Sequence, residues 1–309
     1  MIEILSIISF FVLISLYPKY INWSKKKQYG QYIRQEGPDL HNYKQGTPTA
    51  GGILFLFFIS ILNLISYYLS SNPIYLIVFF SSILFGFVGF IDDFLSIFKK
   101  NSLGLRSYQK LLLQIIFSLI IFYIVNKFNP HTYLKIPYID KTLDLGFFYP
   151  IWAVLFLSGL SNSTNLSDGL DGLSSGLFII STIMTVIVSK APINLIYTIV
   201  LPVIAFMMFN IKPAKIFMGD TGSLALGGIL ASISIYYSTE IFAIFTCFVF
   251  IAEMFSVIIQ VLSYKIRKKR VFLMAPVHHH FEMKGWHEER VVMNFWIINI
   301  LFGILIIGG

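Results

Sequence analysis

Charge and cysteine are what this sequence has least of. Only 12% of its 309 residues are Asp, Glu, Lys or Arg, against 56% hydrophobic, about half the charged share of an ordinary soluble domain. With a mean hydropathy of +0.77, that scarcity excludes a soluble globular domain and points to a polytopic membrane protein. The single cysteine, Cys247, lies inside an apolar run, which excludes an internal disulfide, a redox pair and a cysteine metal site. There is no internal repeat and no low-complexity tail. The first apolar run, Ile4 to Leu16, is preceded only by Glu3, with neither a basic segment before it nor a small-residue cleavage pattern after it, so it is expected to be a retained first span. The net charge of +8 is not tied to any recognisable nucleic-acid-binding module, and no nucleic acid is expected as a partner.

At about 20 apolar residues per crossing, ten transmembrane helices are expected, near residues 2–21, 49–69, 74–91, 110–126, 148–164, 173–189, 193–210, 222–238, 240–263 and 292–308. The fold class is therefore an all-α polytopic membrane protein, one integral membrane domain over residues 1–309. Proline and polar residues break the pattern at Ser70-Ser71-Asn72-Pro73 and at Lys190-Ala191-Pro192. All but four of the 23 lysines and arginines fall on alternate segments of one side; the other side has Lys127, Lys135, Lys141 and Lys190. The positive-inside rule puts the basic side in the cytoplasm and both termini on the outer face. The basic excess is then explained by topology and by anionic membrane lipid.

Nearly every unusual polar residue lies on the five segments of that basic side. The first, Glu36 to Gly52, runs through Lys44, Gly46, Thr47, Pro48 and Thr49 into a span. Glycines and free N–H groups at a helix start favour an anion such as phosphate, although an ordinary capped start with proline in the first turn fits equally. The second is Asp92-Asp93 at the end of the third span. Adjacent carboxylates repel, so keeping both ionised needs a cation or a lysine, an arrangement that suits Mg²⁺ as well as a simple interfacial cap. The third, Asn165 to Gly172, sets Asp168 and Asp171 three apart, on one face of any helical turn; it also reads as a solvated glycine turn.

The fourth segment, Asn210 to Ser223, ends with Asp220 framed by Gly219 and Gly222 at the mouth of the eighth span, with Thr221 and Ser223 able to cap or touch phosphate. Phe217 suits stacking on a flat ring or a place in the core. The fifth carries His278-His279-His280-Phe281-Glu282 after a basic run. Adjacent histidines point in different directions, so a shared zinc is not expected, and phosphate or ribose contacts or proton handling fit better. Glu253, deep in the ninth span, marks function by default or else is a neutral acid bonded to a neighbouring helix.

In order and over essentially the whole chain, the segments Glu36 to Gly52, Asp92-Asp93, Asn165 to Gly172, Asn210 to Ser223 and Pro276 to Glu282 resemble those of the bacterial phospho-N-acetylmuramoyl-pentapeptide transferases. The wider superfamily of polyprenyl-phosphate hexosamine-1-phosphate transferases shares the aspartates. The pairing of Gly46-Thr47-Pro48-Thr49-Ala50-Gly51-Gly52 with His278-His279-His280-Phe281-Glu282 is typical of this branch.

The resemblance implies an Mg²⁺-dependent transfer of phospho-MurNAc-pentapeptide from UDP-MurNAc-pentapeptide to undecaprenyl phosphate, giving lipid I and UMP. It further implies a multi-pass protein of the bacterial cytoplasmic membrane, active on the cytoplasmic side, and a homodimer. Carried over residue by residue, Asp92, Asp93, Asp220 and His279 are catalytic, and Asp220 and Asp93 are the metal residues. Lys44, Thr49, Lys110, Asn165, Asp168, Asp171, Asn210, Phe217, His278 and His280 line the substrate site. One departure stands out: many relatives carry a lysine where this chain has Ser96, so a phosphate contact there is lost or is supplied by Lys99 or Lys110. Two other readings stay open, a transferase of the wider superfamily with a different sugar donor, and a secondary transporter, whose ion residues should lie near midplane on broken helices.

Overall fold

The computed structural model describes residues 1–27, 30, 44–99, 104–139 and 141–307. Of the first polar segment, Glu36 to Tyr43 lie outside the described residues. Four helices come first: α1 (Ile2–Lys26), α2 (Gly52–Ser70), α3 (Pro73–Lys99) and α4 (Ser107–Phe128). A hairpin follows, β1 (Tyr133–Ile136) and β2 (Lys141–Asp144), antiparallel with Tyr133 opposite Asp144. The rest is helical: α5 (Tyr149–Leu166), α6 (Leu173–Val188), α7 (Asn194–Asn210), α8 (Gly219–Tyr236), α9 (Glu240–Thr246), α10 (Phe248–Arg267), α11 (Val277–Met283) and α12 (Glu288–Ile307). The breaks expected from proline fall where they should. Ser71 and Lys190 take left-handed backbone at the two turns, and Pro73 opens α3.

Six helices, α1, α2, α3, α4, α10 and α12, are long and apolar enough to cross a membrane, and α6 and α7 are apolar but shorter. Of the ten expected spans, the first four, the ninth through α10 and the tenth are met by such helices, while α5 and α8 are not among them. Helix α8 is wrapped by protein rather than lipid, every residue from Thr221 to Ile235 being buried, so it needs no apolar coat and is built from Gly, Ala, Ser and Leu. Its largest packing partners are α3 and then α5. The backbones meet closely because both sides are small: a Cβ added at Gly89 of α3 would lie 2.0 Å from the Asp220 carbonyl oxygen, and one at Gly52 of α2 would lie 2.4 Å from Gly222 Cα. Gly89→Ala is therefore expected to push α3 off the start of α8, costing about 1–3 kcal/mol and showing as a lower melting temperature of the detergent-solubilised protein.

The expected ninth span, 240–263, is two helices, interrupted at Cys247. The break is satisfied from α12. Asn299, fully buried, accepts the Val249 N–H through Oδ1 (3.1 Å) and donates from Nδ2 to the Thr246 carbonyl (3.1 Å) and Ser181 Oγ (3.1 Å). A side chain that replaces the lost helical bonds is what makes a broken helix tolerable at membrane depth. The hairpin is pinned at the far end of α8 from Asp220: Asn129 donates to the Tyr236 carbonyl (2.6 Å) and Lys135 to that of Tyr237 (3.2 Å). Beside it, Tyr149 Oη lies 2.7 Å from His131 Nε2 and donates to Glu240 Oε1 (2.5 Å).

Candidate active site

Helix α8 begins without a cap of its own, since Met218 makes no side-chain hydrogen bond to it. Asp93 of α3 supplies the cap from another helix. Its Oδ1 accepts the Asp220 N–H (2.9 Å), and its Oδ2 accepts the Thr221 N–H (3.0 Å) and the Thr221 hydroxyl (2.6 Å). A carboxylate here satisfies orphan amides and meets the positive end of the helix dipole. The carboxylate is buried and already accepts three hydrogen bonds, and through them it seats Asp220.

The Asp220 side chain, 25% exposed, faces a polar centre drawn from four elements. Lys110, in the first turn of α4, forms an ion pair with Asp220 Oδ2 and reaches Asn165 Oδ1 (3.2 Å). Asn165, at the end of α5, donates to Asp220 Oδ1 (2.8 Å) and Ser223 Oγ (2.9 Å). Asp92 stands in hydrogen-bonding contact with Asp220, while its Oδ1 accepts the Leu105 N–H (3.0 Å). Asp168, on the turn after α5, feels the same centre: burial, and then the charges of Asp220 and Asp93, push its carboxyl well above the usual carboxylate range. Asp92 and Asp220 meet directly, while Asp168 stands on the neighbouring turn and is tied to Asp220 through charge. Of the two lysines that could stand in for the one Ser96 replaces, Lys110 is at this centre, whereas Lys99 Nζ points to the Gly104 carbonyl (3.4 Å).

The register of α4 against α5 that brings Lys110 and Asn165 together is fixed one turn away. Gln114 and Asn162 exchange amide hydrogen bonds of 3.2 and 2.8 Å. Sequence reading passed over both; their spacing from Lys110 and Asn165, four and three positions, is the signal.

A second cluster lies where the segment before α2 meets the loop before α8. Residues 48–52 run beside 217–218, the Phe217 N–H donating to the Pro48 carbonyl (2.8 Å), the Gly51 N–H to that of Phe217 (2.9 Å) and the Gly52 N–H to that of Met218 (3.0 Å). This brings half-buried Thr49 near Phe217, whose ring is also half-exposed, and Lys44 Nζ lies 6.0 Å from that ring's centroid. Lys44 pairs with Asp171 Oδ1 (2.7 Å) and with Glu288 Oε1 (2.5 Å). Asn210 does not face this space: it is buried, accepting from Ser175 Oγ (3.0 Å) and donating to the Ile216 carbonyl (3.1 Å). In the structure it braces the loop before α8.

The three histidines on α11 diverge, as adjacent positions must. His278, fully buried, turns inward with Nδ1 3.1 Å from Glu253 Oε2, and its Nε2 lies 2.4 Å from where a Cβ on Gly169 would stand, so it packs against the Asp168 turn. Glu253 is thus an acid paired to a neighbouring helix. His279 Nδ1 lies 2.7 Å from Glu282 Oε2. His280 accepts the Leu273 N–H (3.1 Å) and meets Phe272 edge-on, bracing the 272–273 turn. Among the described residues, no three His, Cys, Asp or Glu side chains form a group able to hold a metal ion by themselves.

A model of the family described as glycosyl transferase family 4 matches residues 75–238, the stretch holding Asp92, Lys110, Asn165, Asp168, Phe217 and Asp220. A phospho-N-acetylmuramoyl-pentapeptide-transferase of Petrotoga mobilis is 60% identical over 305 residues, 99% of this chain and 97% of its own length. Proteins of the same name from Fervidobacterium nodosum and Staphylococcus carnosus are 46% and 44% identical, over 96% and 99% of this chain and 93% and 98% of theirs. The family match spans the first cluster and the relatives align over nearly the whole of both chains, and the chain belongs to glycosyl transferase family 4, among its phospho-N-acetylmuramoyl-pentapeptide-transferases.

Proposed function

We propose that the protein transfers phospho-N-acetylmuramoyl-pentapeptide from its UDP carrier to undecaprenyl phosphate, releasing UMP and forming lipid I. The observation that carries this reading is the meeting of Asp92 and Asp220 with Lys110 and Asn165 at the mouth of α8, beside the turn that carries Asp168. It is a charged centre set at the end of a lipid-embedded bundle, where a water-soluble and a lipid-anchored substrate can meet. Family membership supports the choice of donor and acceptor.

The donor set suits magnesium, which takes few carboxylates and fills its shell with water and phosphate oxygens. Asp220 would hold it, with Asp92 and Asp168 alongside, and when bound it would neutralise the pyrophosphate and the departing UMP. Lys110 adds a fixed positive charge to the same region and takes over the phosphate contact that Ser96 cannot make. Asp92 accepts the acid proton of the lipid phosphate or orients that phosphate for in-line attack on the phosphorus next to the sugar. The new P–O bond forms as the bond to UMP breaks. Phe217 stacks on the uracil ring, with Thr49 nearby, and Lys44 and Asp171 line the nucleotide-sugar side. His279, paired with Glu282, handles a proton or a phosphate oxygen, and His278 supports the Asp168 turn.

In the membrane we place the site on the cytoplasmic side of a bacterial inner membrane, both termini outside, with the helices accounting for ten crossings of one domain and a homodimer as the assembly. The lysine and arginine asymmetry supports that orientation. A transporter would want its ionisable residues near midplane. The broken ninth span carries Glu253 there, but Glu253 is paired with His278. Release of isotope-labelled UMP from UDP-MurNAc-pentapeptide, dependent on both Mg²⁺ and undecaprenyl phosphate, is the expected result. Release instead from a different UDP-hexosamine would move the protein to another branch of the superfamily, and no release at all would end the enzyme reading.

A further inference from the structure

Glu288, a residue sequence reading did not single out, heads α12 with its side chain 4% exposed. Its Oε1 accepts Lys44 Nζ at 2.5 Å and the Asp171 N–H at 2.7 Å, and its Oε2 lies 3.4 Å from Lys212 Nζ. Asp171 in turn accepts the Ala214 N–H through Oδ2 (2.9 Å). One carboxylate thereby ties together four segments far apart in the chain: the loop before α2, the turn between α5 and α6, the loop before α8 and the start of α12. Buried ion pairs contribute little net stability once desolvation is counted, and their best-attested use is to fix one arrangement over its competitors. Here the arrangement fixed is that of Lys44 and Asp171, with Phe217 6.0 Å from the Lys44 ammonium.

We propose that Glu288 is a positioning residue for the nucleotide-sugar half of the substrate, setting Lys44 and the Asp171 turn at the distance the donor requires. The inference rests on the transferase reading above. Its test is Glu288→Gln in the full-length, detergent-solubilised protein. The amide keeps the shape and an acceptor for the Asp171 N–H but removes the charge that holds Lys44. The KM for UDP-MurNAc-pentapeptide is expected to rise at least about tenfold, with kcat within about threefold and the KM for undecaprenyl phosphate unchanged, the pattern of lost ground-state binding. Equilibrium binding of the UDP donor should weaken by the same factor, and Glu288→Asp, which restores the charge, should recover part of it.

A merely structural role would lower the melting temperature and the active fraction without separating the two KM values, and that outcome overturns the proposal. So does an unchanged donor KM. Should Glu288→Gln fail to fold, Glu288→Asp alone carries the test, with a smaller rise in donor KM expected and an unchanged one overturning it. Wild-type protein that releases no UMP defeats the transferase reading instead, whereas active wild type with an indifferent Glu288→Gln defeats only the role of Glu288.

Discussion

Asp220→Asn is expected to lower UMP release by about a thousandfold, the scale of losing a principal electrostatic group at a reacting phosphate, while the protein stays folded. The second half of that expectation follows from how Asp220 is held. Asp93 grips it through its backbone amide, which the substitution leaves in place, and its carbonyl still lies against Gly89. What changes is the charge facing Lys110, so the metal titration should change with it, and half-saturation by Mg²⁺ should move to much higher concentration. Near-normal turnover with a normal magnesium dependence would remove Asp220 from the metal.

Lys110→Gln should cost about a hundredfold in turnover, from loss of a preorganised positive charge beside the pyrophosphate, and should shift the metal dependence in the opposite direction. In the structure Lys110 is the cation that neutralises Asp220, and Asn165 bridges the two. Taking that charge away leaves Asp92 and Asp220 facing one another with less compensation, which raises their attraction for a divalent ion. Slower turnover with tighter magnesium binding is the expected pair of results. Slower turnover with unaltered magnesium binding would mean that Lys110 serves the substrate alone, and a full rate would mean that the contact missing at Ser96 is made elsewhere.

Much of the site could be read from the chain before its fold was known, because chemistry of this kind leaves charged islands that an apolar sequence cannot hide. Asp92, Asp168, Asp220 and Asn165 stood out for that reason, and Asp92, Asp220 and Asn165 meet at the mouth of α8. The proline-marked turns were legible too, since proline acts on its own neighbours. What escaped depends on partners distant in sequence. Asp93 reads as one half of a metal pair until α8 is found to start against it, 127 positions later. Asn210 resembles a ligand until its amide is seen bracing Ile216. Glu288 has the look of an ordinary first-turn acid, its significance lying in Lys44, 244 positions away. The break in the ninth span is invisible because Cys247 is no helix breaker; Asn299, from another helix, makes the interruption tolerable.

A cap lent by one helix to another has a mechanical side. With Asp93 gripping the first turn of α8, and Gly89 leaving no gap beneath it, the ends of α3 and α8 move as a single piece, and Asp92 and Asp220 ride on it together. The anvil of the reaction is rigid. Whatever adjusts as the two substrates arrive and UMP departs must then come from the opposing jaw, the stretch from α11 into α12, whose Glu288 grips Lys44 and the Asp171 turn through its side chain rather than through shared backbone.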